Sequence, residues 1–312
     1  MTTESALRVE QWPALRVSDW ADTRDTLHMW LQLVGKIKLA LNPMINHWWQ
    51  VPLYVSARGL TTAAMPHSGR TLDMEFDFTD HRLVIRSSSG EQRAVKLEPK
   101  SVAEFHHETM RLLDQLGLPV TIRTKPTEVT RAIPFEQDEE HCCYEPEHAR
   151  LFWEQLRCVQ RAFEEFRSGF IGKVSPVHLF WGAMDLAVTR FSGRTAPRHP
   201  GGAPNCGDWV MVEGYSHELS SCGFWPGGGA EGAFYSYAYP QPAGFAEYPV
   251  LPEAAYFENG EFLLPYDRVR RARDPEAVLL GFLRATYEAA AECGNWDRAA
   301  LEDDPTRRAS PR

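Results

Sequence analysis

Three histidines stand beside aromatic residues or a carboxylate in separate segments: His47 before Trp48-Trp49, His178 before Leu179-Phe180-Trp181, and His217 before Glu218. Imidazole nitrogens from His47, His178 and His217, with a carboxylate from Glu218 or Asp185, make a donor set suited to Zn²⁺ or non-haem Fe(II). In such a site the carboxylate either ligates or acts as base. No H-x-x-x-H or H-E-x-x-H spacing supports the set, and the plainer reading has the three rings hydrogen-bonded to backbone in an aromatic core. Without a metal, His217, Glu218 and Asp185 are the groups that could move a proton. Cys222 lies in the same segment. Neighbours along a strand alternate in direction, so a thiol–imidazole pair there would need His47 or His178 as its base.

A second group could hold a substrate. Tyr54 and Trp181 are large aromatics flanked by Arg58 and Asp185, and an aromatic-walled groove with one cation and one anion is a common way to build a pocket. Lys36 and Lys173 each follow a glycine at a helix-like end. They either complement that helix terminus or join Arg58 and Arg190 to bind an anion. Tyr54, Arg58, Trp181 and Arg190 are therefore the candidate substrate-binding residues, the alternative being an Arg58–Asp185 ion pair. Pro226 to Gly232 lacks the Lys-Ser/Thr of a phosphate loop and reads as a turn. His141, Cys142, Cys143 and His148 have no recognised metal spacing and read as a surface loop. The stripe Tyr235, Tyr237, Tyr239 reads as a sheet face.

The elements that must position these residues form a doubled phrase. A helix-like run ends at Gly35-Lys36, leads to His47 and then to a strand-like 51–58. Another ends at Gly172-Lys173, leads to His178 and then to a strand-like 182–190. Aligning the two histidines gives an apolar face of Val51, Leu53, Val55 and Ala57 in one strand and Met184, Leu186 and Val188 in the other. The second face carries Tyr54 and Arg58, and Trp181, Asp185, Ala187 and Thr189. Arg190 falls on the apolar side in this register and needs a bulge or strand end to rescue it.

Around the phrase, periodicity predicts helices over 22–41, 101–116, 146–170 and 275–293. Ser101 with Glu104 makes a capping box, and Pro146 and Pro275 stand at first-turn positions. Alternation predicts strands over 72–78, 82–86, 93–97, 120–123, 209–212, 216–221, 234–239 and 261–264. Each half reads helix, antiparallel strands, helix. The fold class is therefore α+β: two similar halves, 15–123 and 146–300, joined into one larger twisted sheet with helices packed on it. A connector spans 124–145, the termini 1–14 and 301–312 are loose, and a pocket forms between the halves.

Composition sets the bounds. A formal charge of −9 argues against nucleic acid as partner. No run of about 18 apolar residues is present to span a membrane. The N-terminus lacks a basic region followed by an apolar one, and six cysteines without C-x-x-C fit reduced thiols, so a cytoplasmic location is expected. Ten tryptophans call for an aromatic core or a pocket that stacks a flat molecule.

Several long phrases are family-specific: Thr26-Leu27-His28-Met29-Trp30, Asn46-His47-Trp48-Trp49 through Arg58-Gly59-Leu60, Gly172-Lys173-Val174-Ser175-Pro176-Val177-His178, Asp185 through Arg194, and Tyr215 through Gly227. Together they resemble the bacterial domain-of-unknown-function family 5996 over roughly 15–300. That resemblance implies a single module and supplies no catalytic roles. The residues themselves support an enzyme acting on a small anionic or aromatic molecule, metal-assisted or acid–base, with a non-catalytic small-molecule binding module as the alternative. They leave oligomeric state open.

Overall fold

The structure, a computed structural model, describes residues 12–303. Most of the ends read as loose lies outside that range. Inside it, Trp12 and Leu15 are buried in the core.

The first part of the chain contains α1 (Val17–Leu41), β1 (Tyr54–Val55), β2 (Gly59–Thr61), β3 (Met65–His67), β4 (Arg70–Asp77), β5 (Arg82–Ser87), β6 (Gln92–Lys96) and α2 (Val102–Gln115). The second contains α3 (Pro146–Ser168), β7 (His178–Phe180), β8 (Asp185–Thr195), α4 (Asp208–Gly214), β9 (His217–Trp225), β10 (Ala233–Tyr239), β11 (Tyr256–Glu258), β12 (Glu261–Pro265), α5 (Tyr266–Arg270), α6 (Pro275–Cys293) and α7 (Arg298–Leu301). Two six-stranded antiparallel sheets result. One runs β1-β2-β4-β5-β6 with β3 also on β4, and the other runs β11-β12-β10-β9-β8-β7.

The two sheets meet at one reciprocal pair. Leu53 and Leu179 exchange N–H···O bonds of 2.9 and 2.8 Å. A single hydrophobic core runs through both. Helices α3 and α6 pack on one face of the second sheet, and its opposite face is left for a cavity.

Local signals explain most elements. The Ser101 side chain accepts from the Glu104 N–H at the start of α2, and Asp274 does the same for Ala277 at the start of α6. Each satisfies a donor that a helix N-terminus leaves orphaned. In β4 the apolar Leu72, Met74 and Phe76 are buried while Asp73 and Glu75 pair with Arg86 of β5.

Five expectations change. The strands form two sheets in place of the one larger twisted sheet expected. Helix α1 starts at Val17, and Gly35-Lys36 lie inside it rather than at its end. Gly35 is there for space: a Cβ at that position would stand 2.2 Å from the Trp181 indole. The first strand-like run forms a ladder only at Tyr54–Val55, beside the Leu53–Leu179 bridge, because Ser56 N–H turns back to the Gly59 carbonyl. Residues 120–123 form no strand, and Trp209 to Val212 lie in α4. The doubled phrase therefore does not hold position by position. His47 sits in a 3₁₀ turn at Asn46–Trp48, whereas His178 begins β7.

Candidate functional site

The exposed-sheet face carries a cavity of about 1030 Å³. Alternation along β8 supplies the floor: Asp185, Ala187, Thr189 and Phe191 face the cavity, while Leu186, Val188 and Arg190 turn toward the helices. Ser221 of β9, Tyr235 and Tyr237 of β10, and Glu261 and Leu263 of β12 continue that floor. At 3.3 Å per residue, Asp185 and Phe191 lie roughly 20 Å apart along it. Trp48, Trp49, Phe180, Trp181 and Trp209 make much of the remaining wall.

A polar stripe on α1 holds the roof. His28, Gln32 and Lys36 are four residues apart and so share a helix face. His28 Nε2 is 3.0 and 2.9 Å from the carbonyls of Trp181 and Gly182. Gln32 clasps the backbone of Thr127, donating to its carbonyl at 2.7 Å and accepting from its N–H at 2.8 Å. Lys36 Nζ donates to Thr127 Oγ1 at 3.0 Å. The connector is thus anchored beside the turn between β7 and β8. Gly182 leaves room for the next connector residue, since a Cβ there would lie 2.3 Å from Glu128 Oε1.

Helix α4 closes the other side. His47 N–H donates to Glu213 Oε1 at 2.9 Å, and Trp48 Nε1 donates to the Val210 carbonyl at 2.9 Å. Glu128 N–H donates to the Pro204 carbonyl at 2.7 Å. His47, Trp48 and Glu128 on the wall, with Met184 at the β7–β8 turn, all hold left-handed φ values, between 57° and 62°. Such backbone is costly for residues with a Cβ and concentrates where a site is being held open or aimed.

Glu128, Asp185, Glu258 and Glu261 line this space without a cation partner among the described residues, and burial shifts Asp185 and Glu128 the most. Asp185 is 8% exposed and accepts from the Tyr235 hydroxyl. Burial pushes its pKa up to about 6, against the lowering effect of that hydrogen bond. Glu128 is exposed to the cavity with protein packed around it, and that surrounding, followed by the charge of Asp185, pushes its pKa up to about 7. Its side chain stays open to the cavity itself, so the full upward push operates when the cavity holds something less polar than water. Beyond them, the Tyr215 and Tyr237 hydroxyls are 2.8 Å apart. Two acids of raised pKa, one braced by a phenol, can give and take protons near neutral pH.

The residues singled out in the sequence are dispersed about this site. Asp185 and Trp181 line the cavity, as does His47. His47 Nδ1–H donates to the Gly214 carbonyl at 2.9 Å, leaving Nε2 to accept from Lys173 Nζ at 2.6 Å. The His217 ring lies 5.7 Å from the His47 ring, with Nδ1 against Ser216 Oγ. His178 is not with them. It is buried beside Phe180, Nδ1 on the Pro176 carbonyl, Nε2 without a partner among the described residues, and burial pushes its pKa down to about 4. Among the described residues no three His, Cys, Asp or Glu side chains are gathered to hold a metal ion.

Glu218 turns away from the cavity to Ser192 and Arg194. Arg58 pairs with Asp77 at 2.8 Å and Asp80 at 2.9 Å, not with Asp185. Tyr54 lies under the Lys38 ammonium, 4.7 Å away, outside the cavity wall. Arg190 is buried on the helix face. No bulge rescues it there: its guanidinium sits 3.5 Å from the Phe166 ring centroid and donates to the Phe166 carbonyl.

Sequence reasoning missed Glu128, which stands in an aperiodic connector with no pattern to mark it. The His28-Gln32-Lys36 spacing was a signal, as was the Tyr235-Tyr237 stripe, whose sheet face turns out to be the cavity floor.

No helix among the described residues is long and apolar enough to cross a membrane. No curated protein and no solved structure matches the chain. A family model described as a family of unknown function, DUF5996, matches residues 12–303. Since that span is nearly the whole sequence, the chain belongs to the DUF5996 family.

Proposed function

We propose that the cavity takes up a flat, largely apolar small molecule and performs acid–base chemistry on it, with Asp185 and Glu128 as the proton-handling pair. The observation that supports this most directly is the pair of carboxyls on an aromatic wall, neither paired with a cation among the described residues. A carboxylate kept only for structure would be matched with an arginine, as Asp77 and Glu231 are. Near neutral pH the pair holds about one proton, so one carboxyl can donate while the other accepts. Tyr235 fixes the direction of Asp185, and the aromatic wall excludes water around a bound ring. The volume lies at the upper end of the usual range for small-molecule sites, roughly 300–1,000 Å³.

A binding module without chemistry is the second reading. The exposed Leu39 and Trp209 on the cavity wall favour it, because they offer apolar surface to a ligand whether or not a reaction follows. Calorimetry with 2-naphthylmethanol in buffers of different ionisation heat separates the two. Acid–base function predicts binding with proton uptake at pH 7, as expulsion of water raises Glu128 further, and loss of that uptake in Glu128→Gln and Asp185→Asn. Binding without proton exchange leaves the module, and no binding removes both readings.

A further inference from the structure

Lys36 is an amine in a setting that gives an ammonium little support. Its side chain is 7% exposed on α1, and Nζ reaches the cavity wall with Thr127 Oγ1 as its hydrogen-bond partner. The Trp181 ring centroid is 5.8 Å away. No carboxylate among the described residues lies within ion-pair distance of Nζ, and Arg123, just before the connector, adds a like charge. Burial, then Arg123, pushes the Lys36 pKa down to about 8. Of the other buried lysines, Lys38 is lowered by burial to about 8 as well but donates to the Pro52 carbonyl and does not line the cavity, and Lys100 pairs with Glu108. The chain uses lysine at only six positions and arginine far more often. An arginine could donate to Thr127 equally well, but it cannot become a neutral nucleophile.

We propose that Lys36 is a carbonyl-reactive amine that forms an imine with an aromatic aldehyde or ketone held in the cavity. Glu128, the residue after its hydrogen-bond partner, is the acid–base group for that step. The Nζ lone pair attacks the carbonyl carbon, a C–N bond forms, and the C=O π pair moves to oxygen, which takes the proton of Glu128. The resulting carboxylate takes a proton from nitrogen and returns it to the hydroxyl, which leaves as water while C=N forms. Glu128 then takes the last proton from nitrogen. Amine and carbonyl give imine and water, with no change of oxidation state and Glu128 restored. Desolvation of a lysine is a general way to make such a nucleophile.

This inference rests on the cavity binding a flat molecule, so two probes of the same ring system test it. Full-length protein is treated with 2-naphthaldehyde and sodium cyanoborohydride, which delivers hydride to the imine carbon, and the adduct is located by peptide mass mapping. One naphthylmethyl group is expected on Lys36, formed at least about tenfold faster than on any other lysine. The rate should pass through a maximum between about pH 7 and 8, falling on the acidic side as Lys36 is protonated and on the basic side as Glu128 loses its proton. Arg123 and Cys206 are the titratable groups whose charge acts on this amine, and Lys125, Glu128 and Asp185 line the same cavity. Glu128→Gln should slow trapping at least about tenfold. Lys36→Arg should abolish it, with Lys36→Gln used in its place if the arginine variant loses its thermal transition. Binding of 2-naphthylmethanol, which has no carbonyl, is measured in parallel. Scattered labelling that is equal in wild type and variant, with the alcohol still bound, overturns the imine and leaves the cavity reading intact. Failure of the alcohol to bind overturns both.

Discussion

At the scale of single residues, the informative quantity is charge without compensation. Asp185 is buried with a phenol as its side-chain partner, so its ionised form is disfavoured in the folded protein. Its carboxyl protonates near pH 6 when folded, against its usual 3.8. Between those values the folded state binds more protons than the unfolded one. Stability from this group is therefore complete below its usual pKa and is lost as pH rises through 6. Asp185→Asn keeps an oxygen for Tyr235 and removes the titration. The variant should gain on the order of 1–3 kcal/mol on wild type as pH goes from 4 to 8. Thermal unfolding across that range tests it: parallel pH curves for the two proteins would remove Asp185 as a neutral acid. Arg190 shows the opposite solution to burial, with three aromatic faces and a carbonyl around the guanidinium.

At the scale of elements, legibility follows how local the cause is. The cap at Ser101, the prolines opening α3 and α6, and the alternation of β4 and β8 are written in neighbouring residues, and they appear where periodicity places them. Trp209 to Val212 misleads because four apolar residues fit either period, and only the clasp of α4 onto the 46–48 turn decides for helix. Asp185 and Trp181 could be found from face alternation. Glu128 could not, because its place depends on Gln32, some 95 residues away in sequence. The role of that glutamine is testable. Gln32 is fully buried, and both of its bonds to Thr127 are lost in Gln32→Ala, leaving a backbone donor and acceptor unpartnered. The expected cost is about 2–4 kcal/mol. Amide exchange should accelerate at Thr127 and Glu128 while β4 and β5 keep their protection. Unchanged exchange at Thr127 would show that the connector is held by other contacts.

At the scale of the molecule, cavity and fold share one seam. Leu53 and Leu179 are fully buried and exchange both backbone bonds. The Trp181 indole N–H donates to the Val51 carbonyl at 3.0 Å, and Lys38 Nζ donates to the Pro52 carbonyl. The carbonyls of Val51 and Leu53 are thus taken from the second sheet's side of the seam, and that of Pro52 from α1. Trp181 is at once a clip of that seam, a wall of the cavity and the ring packed on Gly35 of α1. A common core and a common clip imply that neither sheet holds its form alone, so wild type should unfold in one transition with coincident far- and near-ultraviolet signals. Leu53→Pro removes the Leu53 N–H and with it half of the reciprocal pair, at an expected cost of about 3 kcal/mol or more. Because the seam positions Trp181, 2-naphthylmethanol binding should weaken together with stability. The near-ultraviolet signal should fall before the far-ultraviolet one as the sheets part. Two separate transitions already in wild type, or a Leu53→Pro protein that binds as before, would mean that the sheets and the cavity are held independently of this seam.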